Sequence, residues 1–138
     1  MARRASKIET LPNRNRKKKF VSHHVFRELT SLCPVTRLPD FYTIKLTYEP
    51  DRLLPELKSL KLYFMTFRDV EVLHEELANQ ILDDLVSSIG PRWARIVLNV
   101  NNRGGVLTTV ARKWSRSKGD EAIEPNELER HFDSNTTD

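Results

Sequence analysis

Residues 70–91 read VEVLHEELANQILDDLVSSIGP and have the clearest periodic pattern in the chain. Apolar residues recur at intervals of three and four, which places them on one face of a helix. This stripe consists of Val70, Leu73, Leu77, Ile81, Leu85 and Ile89. Gly90 and Pro91 then end the helix, because glycine accepts the left-handed conformation at a helix end and proline cannot continue a helix.

Another helix is predicted just ahead of this one, between Glu56 and Phe67, because the same spacing recurs there. Its apolar face consists of Leu57, Leu60, Phe64 and Phe67. Arg68 and Asp69 are predicted to be the tight link between the two helices, so that the second helix starts at Val70.

The segment before the helices is predicted to be a β-hairpin. Residues 41–48 are rich in β-branched and aromatic side chains, and the turn residues 49–51 end them as a strand. Residues 21–29 are the expected partner strand, and a wide turn from Cys33 to Asp40 joins the two. Cys33 would then lie at the edge of a sheet.

A second hairpin is predicted after the helices. Residues 94–101 largely alternate apolar with polar side chains, and residues 106–111 are the expected partner strand after a turn that contains Gly104 and Gly105. The order hairpin, helix pair, hairpin predicts an α+β fold, ββααββ, with a four-stranded antiparallel sheet and both helices on one face. Such a sheet has two open edges, which invite pairing with neighbouring subunits.

The chain has 138 residues, enough for one domain with its own core, and a net charge of +4. Residues 1–20 hold eight bases and one acid, whereas residues 117–138 hold two bases and seven acids. We therefore predict a basic flexible tail over residues 1–19, a folded domain over residues 20–114 and an acidic C-terminal tail over residues 115–138.

Cys33 is the only cysteine, so no disulfide can form within the chain. No run approaches the roughly 18 apolar residues of a membrane span. Both features favour the cytoplasm and no membrane partner. A lone cysteine is more often a small buried side chain than a nucleophile, so the residue type alone leaves its role open.

Short motifs lie at the predicted turns and helix starts. TSLCP and PDF occupy residues 30–34 and 39–41, the octapeptide ELKSLKLY occupies residues 56–63, and HEE occupies residues 74–76. Together they closely resemble the NADPH-dependent 7-cyano-7-deazaguanine reductases of the short single-domain type, which are nitrile reductases of the queuosine pathway. The resemblance covers about residues 26–112.

The resemblance implies a tunnelling fold, in which such units join edge to edge into a barrel and the rings stack into a homodecamer. Active sites in the family lie between subunits, so assembly and site formation are coupled. It also implies the reaction, which reduces the nitrile of 7-cyano-7-deazaguanine to a primary amine. Two NADPH are used, a thioimide and then an imine form, and no metal takes part.

Four residues take their roles from the resemblance. Cys33 matches the nucleophile that attacks the nitrile carbon, and Asp40 matches the relay that carries the thiol proton to the nitrile nitrogen. His74 matches the histidine near the reacting carbon and nitrogen. Glu75 matches the carboxylate that binds the purine-like ring, although by residue type alone Glu76 competes with it.

The octapeptide is the motif that separates these reductases from relatives that do not reduce nitriles. Lys58 and Lys61 are the candidates for the phosphates of NADPH, and Arg103 is a further candidate beside the turn glycines. The residues assigned to the substrate pocket are Glu56, Leu57, Ser59, His74 and Glu75. By residue type alone, lysines on a helix are usually a solvated face, and Arg103 is equally an ordinary hairpin residue.

The sequence also departs from the family pattern. Arg37 and Leu38 stand where glycine and glutamine are more usual, and Leu73 stands where an aromatic residue often precedes the His-Glu pair. His23, His24 and the basic N-terminal residues have no family counterpart.

Three other functions remain open. A tunnelling-fold amidinotransferase, which adds ammonia to the same nitrile in tRNA, would also use Cys33, but the motif of Lys58 and Lys61 argues against it. Candidate ligands for a metal-dependent cyclohydrolase are His23, His24, Cys33 and His74, which lack a recognisable ligand spacing. Only the basic residues 14–19 favour an RNA-binding module, and no stable nucleic-acid partner is expected.

Overall fold

The computed structural model describes residues 7–128, without the side chains of Asn102 and Arg103. Seven strands, two α-helices and one 3-10 helix occur in this range. In chain order they are β1 (Thr10–Pro12), β2 (Ser22–Leu32), β3 (Pro39–Glu49), β4 (Leu53–Pro55), α1 (Leu57–Met65), α2 (His74–Ile89), β5 (Trp93–Arg103), β6 (Val106–Ser115), β7 (Gly119–Glu121) and the 3-10 helix (Pro125–Leu128).

Five of these strands form one antiparallel sheet in the order β2-β3-β5-β6-β7. β1 and β4 form a separate antiparallel pair. The predicted α+β class is confirmed, with the helix pair between the two predicted hairpins. The sheet has one strand more than the four predicted, because β7 pairs with the end of β6 from Lys113 to Ser115.

The core lies between one face of this sheet and the two helices. The sheet and α2 contribute the buried side chains Tyr42, Ile44, Leu46, Ile96, Leu98, Leu77, Ile81 and Leu85. α1 adds Leu60 and Phe64, and the Phe64 ring stacks on Phe26 of β2 with ring centroids 4.9 Å apart. Burial of these apolar groups is the main favourable contribution to folding.

α2 begins at His74, four residues later than the periodicity predicts. Val70 and Val72 are buried while Glu71 is exposed, which is the alternation of an extended segment. The apolar stripe therefore continues from an extended link into the helix. At the other end Gly90 has a φ of 55° and ends α2 as predicted.

β2 contains a bulge between Phe26 and Leu29. Phe26 pairs with Ile44 and Leu29 pairs with Tyr42, so β2 advances by three residues where β3 advances by two. The extra residue exchanges the two faces of the strand, so that the more buried positions are even-numbered before the bulge and odd-numbered after it. Ser31 is consequently directed inward, next to Tyr42.

The N-terminal segment is part of the fold, so the prediction of a flexible tail over residues 1–19 is wrong for residues 8–13. Ile8 is 4% exposed and belongs to the core. β1 pairs with β4, and the Asn13 backbone N–H donates to the Arg52 carbonyl at 2.8 Å. Most of these contacts use backbone groups, which leave no periodic pattern in a sequence.

Three arginines bind the carboxylate of Asp51, which is 5% exposed. Arg16 Nε and Arg92 Nη2 lie 2.9 and 3.0 Å from its Oδ1, and Arg116 Nη2 lies 3.0 Å from its Oδ2. The hydrogen bond from Arg16, followed by that from Arg116, lowers the pKa of Asp51. The cluster ties the N-terminal segment to the ends of β5 and β6.

The predicted acidic tail over residues 115–138 also begins with folded residues. β7 pairs with β6, and Glu127 of the 3-10 helix lies 3.3 Å from Arg95 Nη1 and 3.4 Å from Lys113 Nζ. Those two bases attract the carboxylate. An acidic residue of the predicted tail therefore helps to hold this segment against the sheet.

Candidate active site

Cys33 directly follows β2 and begins the turn that leads to β3. Its backbone N–H donates to the Leu38 carbonyl at 2.9 Å, and its carbonyl accepts from the Arg37 N–H at 2.7 Å. Arg37 has a φ of 64°, in the left-handed region that glycine adopts without strain. This closed turn leaves the Cys33 side chain partly exposed.

The pKa of the Cys33 thiol is lowered by its own turn. The largest cause is the backbone N–H of Thr36, followed by the Thr36 hydroxyl and the backbone N–H of Val35, all of which stabilise the thiolate. Burial and the negative charge of Asp40 act in the opposite direction. Because the thiolate is the nucleophilic form, the turn activates this sulfur.

Asp40 is the second residue of β3, inside the strand rather than before it, and it pairs with Ser31 of β2. Its side chain is 4% exposed and lies on the same face of β3 as the core residues Tyr42 and Ile44. The charge of Asp40 acts on the Cys33 thiol. The antiparallel pairing of β2 with β3 therefore brings the predicted nucleophile and the predicted proton relay together.

The segment that leads into α2 is bound to the end of β2 through backbone groups. The Leu32 N–H donates to the Val70 carbonyl at 2.9 Å, and the Val72 N–H donates to the Leu32 carbonyl at 3.1 Å. Leu32 directly precedes Cys33, and Val72 lies two residues before His74. These bonds hold the cysteine turn close to the N-terminus of α2.

His74 is the first residue of α2 and is partly buried. The Tyr42 hydroxyl lies 3.1 Å from its Nδ1, and the two rings meet edge to face with centroids 5.6 Å apart. The Ser31 hydroxyl lies 2.8 Å from the Tyr42 hydroxyl. Sequence reasoning missed both residues, although a hydroxyl on the inward side of the predicted strand was a signal for Tyr42.

The carboxylates of Glu75 and Glu76 differ in their hydrogen-bond partners. The Glu76 carboxylate accepts a hydrogen bond from the Leu73 N–H at 3.2 Å and so caps α2. Glu75 is exposed, and its carboxylate has no partner among residues 7–128. The geometry favours Glu75 as the carboxylate that is available to a ligand.

The octapeptide forms the start of α1, and two of its predicted substrate contacts hold that start together. Glu56 Oε1 accepts from the Ser59 N–H at 2.8 Å and Oε2 from the Lys58 N–H at 2.9 Å. Both hydrogen bonds lower the pKa of Glu56, and the bond from the Ser59 N–H has the larger effect. The Ser59 hydroxyl donates to the Glu56 carbonyl and accepts from the Glu9 N–H, both at 2.8 Å.

Lys58 and Lys61 are exposed on α1, and Leu57 beside them is 57% exposed. Among the described residues, neither lysine side chain contacts the predicted nucleophile, proton relay or histidine. Strand pairing and the backbone bonds of Leu32 thus place Cys33, Asp40 and the start of α2 at one end of the sheet, and the two lysines lie outside that group.

The side chain of Arg103 lies outside the described residues. The turn beside it matches its prediction, because Gly104 and Gly105 have φ values of 61° and 85°, as a two-residue hairpin turn of type I′ requires. The assignment of Arg103 to NADPH stays a prediction.

The histidines considered as metal ligands have other partners. His23 Nδ1 lies 2.8 Å from Thr47 Oγ1, and His24 Nε2 lies 2.8 Å from the Tyr48 hydroxyl. Burial, followed by the charge of His23, lowers the pKa of His24. The part of the chain that the structure describes contains no group of three or more His, Cys, Asp or Glu side chains suited to a metal ion.

Comparison with known proteins decides between the families. The family model described as QueF-like protein matches residues 39–119. The NADPH-dependent 7-cyano-7-deazaguanine reductase of Alkalilimnicola ehrlichii is 48% identical over 103 residues, which are 75% of this chain and 80% of that protein. The chain belongs to the 7-cyano-7-deazaguanine reductase family. The reductase of Halorhodospira halophila is 47% identical over 103 residues, with 75% of this chain and 87% of that protein covered.

A solved structure supports the fold of this reductase-family chain. The apo crystal structure of the archaeosine synthase QueF-Like superposes with a TM-score of 0.64, covering 67% of this chain and 91% of that chain. The two sequences are 22% identical, so this likeness concerns the fold alone. Among residues 7–128, no helix combines the length and apolar character needed to cross a membrane.

Proposed function

We propose that the chain reduces the nitrile of 7-cyano-7-deazaguanine to an aminomethyl group with two NADPH. One observation supports this most. Cys33, Asp40 and His74 belong to three different parts of the chain, and the pairing of β2 with β3 and the two backbone bonds of Leu32 bring them to one end of the sheet. Relatives close to half identical are named for this activity.

In the first step the Cys33 thiolate adds to the nitrile carbon, because cysteine is an effective nucleophile near neutral pH. A carbon–sulfur bond forms, one π bond of the nitrile breaks, and its electron pair moves to nitrogen. Asp40, which accepts the thiol proton, delivers it to that nitrogen, so that no full negative charge builds up there. The product is a covalent thioimide.

Two hydride transfers complete the reaction. The first hydride adds to the thioimide carbon and nitrogen takes up a proton. The carbon–sulfur bond then breaks as the nitrogen gives up one proton, which returns the cysteine as a thiol and leaves an imine. The second hydride and another proton give the primary amine. His74, at the N-terminus of α2, donates protons in these steps. Hydride transfer needs the donor and acceptor carbons nearly in contact, so much of the catalysis is positioning.

Recognition is divided between two surfaces. Glu75 accepts hydrogen bonds from the amino and ring N–H groups of the substrate, consistent with its free carboxylate. Lys58 and Lys61, with Arg103, bind the phosphates of NADPH. Glu56, Leu57 and Ser59 shape the substrate pocket, the first and third by fixing the start of α1.

These surfaces are completed between subunits of a homo-oligomer. β2 is an edge of the sheet with Val25 45% exposed, and β6 carries Val106 at 63% exposure. Further apolar side chains exposed on α1 are Leu57, Leu62 and Met65. Open strand edges and exposed apolar groups favour association. The family resemblance indicates a decamer of stacked rings, and the single cysteine favours a reducing compartment such as the cytoplasm.

The test mixes the protein with NADPH and 7-cyano-7-deazaguanine and follows the loss of reduced-nicotinamide absorbance. We expect two NADPH oxidised for each amine formed, and none with Cys33→Ala. Mass spectrometry of protein incubated with the nitrile alone should show one added substrate mass on the wild type and none on Cys33→Ala. Arg68→Gln, on the exposed link after α1, is the control that keeps turnover.

Two results would contradict the proposal. Incorporation of ammonia without oxidation of NADPH would indicate an amidinotransferase. A wild-type protein that turns over without any covalent adduct would exclude the thioimide.

A further inference from the structure

Ser31, Tyr42 and His74 form a hydrogen-bonded row that runs from the core to the candidate active site. The Ser31 and Tyr42 hydroxyls are 2.8 Å apart, and the Tyr42 hydroxyl is 3.1 Å from His74 Nδ1. Ser31 and Tyr42 are both 0% exposed, so their hydroxyls must use protein groups as partners. His74 is the only member of the row with access to solvent.

The chemistry of the three groups favours one direction for this row. A phenol is a stronger acid than an aliphatic alcohol, and a neutral imidazole nitrogen is a better acceptor than a hydroxyl oxygen. These preferences favour donation from the Ser31 hydroxyl to the Tyr42 oxygen and from the Tyr42 hydroxyl to His74 Nδ1. A neutral imidazole that accepts at Nδ1 carries its proton on Nε2.

The same row accommodates a protonated His74. The imidazolium Nδ1–H then donates to the Tyr42 oxygen, and the Tyr42 proton turns toward the Ser31 oxygen. Rotation of the hydroxyls is sufficient, and Tyr42 keeps a partner in both states, which avoids the cost of an unpaired buried hydroxyl. A protonated His74 can thus donate its Nε2 proton while its Nδ1–H stays bound to Tyr42.

The row depends on a feature of the fold that is specific to this segment. Without the bulge between Phe26 and Leu29, the Ser31 side chain would lie on the face of the sheet opposite to the one that carries Tyr42. The edge-to-face contact of the Tyr42 ring further restricts the orientation of the imidazole.

We propose that Tyr42, supported by Ser31, is a positioning residue for His74, which it holds with Nδ1 occupied and the Nε2 proton directed to the reacting group. The effect on turnover rests on the proposed function. The tautomer of His74 in the ligand-free protein is independent of the proposed function, so the tautomer and the effect on turnover can be tested separately.

NMR of the ¹⁵N-histidine-labelled full chain, which has four histidines, identifies the protonated ring nitrogen of His74 when the imidazole is neutral. We expect the Nε2–H tautomer in the wild type and a mixture of tautomers in Tyr42→Phe. Tyr48→Phe is the matched control, because Tyr48 is another buried tyrosine of β3 whose hydroxyl contacts a different imidazole, that of His24. It should leave His74 unchanged.

In turnover, loss of one hydrogen bond to a reacting group predicts that Tyr42→Phe lowers kcat about tenfold, with KM for the nitrile within about twofold. Ser31→Ala, which acts through Tyr42, should lower kcat by about threefold. Tyr48→Phe should keep the wild-type kcat. Ser31→Ala also provides a second test if Tyr42→Phe does not fold.

Three results would overturn the inference: an Nδ1–H tautomer in the wild type, the same tautomer ratio in Tyr42→Phe as in Tyr48→Phe, or a changed tautomer with unchanged kcat. A wild-type protein without nitrile reduction would defeat the proposed function instead, and the NMR comparison would still decide how His74 is held.

Discussion

Arg37 and Glu71 form an ion pair, with 3.5 Å between Nε and Oε2, that links the turn after Cys33 to the segment leading into α2. Arg37 is also the one non-glycine residue with positive φ among residues 7–128. Both side chains are largely exposed, at 78% and 41%, so the pair contributes little to stability. The turn therefore has backbone strain that the ion pair does not offset.

Replacement of Arg37 should reveal this strain. Arg37→Gly and Arg37→Ala both remove the ion pair, but only glycine adopts a φ of 64° freely. We expect the glycine variant to be more stable than the alanine variant by about 1 kcal/mol in urea unfolding. Glu71→Gln removes the ion pair alone and should change stability by less than about 0.5 kcal/mol. Equal stability of the two Arg37 variants would argue against strain.

The hydrogen bonds to Cys33 predict how its reactivity depends on pH. Thr36→Val removes one group that stabilises the thiolate, so the pKa of Cys33 should rise and the alkylation rate by iodoacetamide should reach its midpoint at higher pH. Thr36→Ser keeps the hydroxyl and serves as the control. Asp40→Asn removes a negative charge and should move the midpoint to lower pH. Shifts in the same direction for Thr36→Val and Asp40→Asn would contradict the assigned causes.

Asp51 should stabilise the fold in a pH-dependent way. Its pKa is lowered in the folded chain, so its contribution is present above the ordinary aspartate pKa and is lost as the pH falls through the lower folded value. Asp51→Asn should lower Tm at neutral pH, because it leaves Arg16, Arg92 and Arg116 together without their shared carboxylate. The Tm difference from the wild type should shrink in acid.

The control for this comparison is Asp120→Asn. Asp120 also pairs with an arginine, Arg112 at 2.9 Å, but its side chain is 67% exposed. Asp120→Asn should therefore leave Tm nearly unchanged. An equal loss of Tm in both variants would show that burial of the carboxylate is not what matters.

Lys58 and Lys61 should affect the cofactor rather than the chemistry. Each charge-assisted bond to a phosphate predicts that Lys58→Gln or Lys61→Gln raises KM for NADPH roughly tenfold or more, with little change in kcat. Added salt should weaken NADPH binding to the wild type more than to the variants. Arg68→Gln, an exposed base just after α1, tests whether net charge alone has the same effect.

Much of the fold follows from side-chain periodicity. The apolar stripe of α2, its end at Gly90 and the glycine turn between β5 and β6 all reflect local rules that act within a few residues. The bulge in β2 and the strand β1 do not, because both depend on the partner with which the backbone pairs. The predicted start of α2 is wrong for a similar reason, because Val70 and Val72 fit a helical and an extended pattern alike.

The sequence likewise predicts only part of the candidate site. Motif resemblance selects Cys33, Asp40 and His74 from the sequence, while their location at one end of the sheet results from the pairing of β2 with β3 and from the backbone bonds of Leu32. Residue types could not separate Glu75 from Glu76, and a helix cap does so here. The support of His74 by Ser31 and Tyr42 was hidden because only the three-dimensional register places those hydroxyls in line.

Cys33 occupies a partly exposed turn that favours the thiolate, and it is the only thiol among the 138 residues. A thiolate of this kind is also open to peroxide, which converts it to a sulfenic acid. That group has no second cysteine in its own chain with which to condense. Its rescue requires a thiol from another molecule to reach the turn before further oxidation to the sulfinic acid makes the damage permanent.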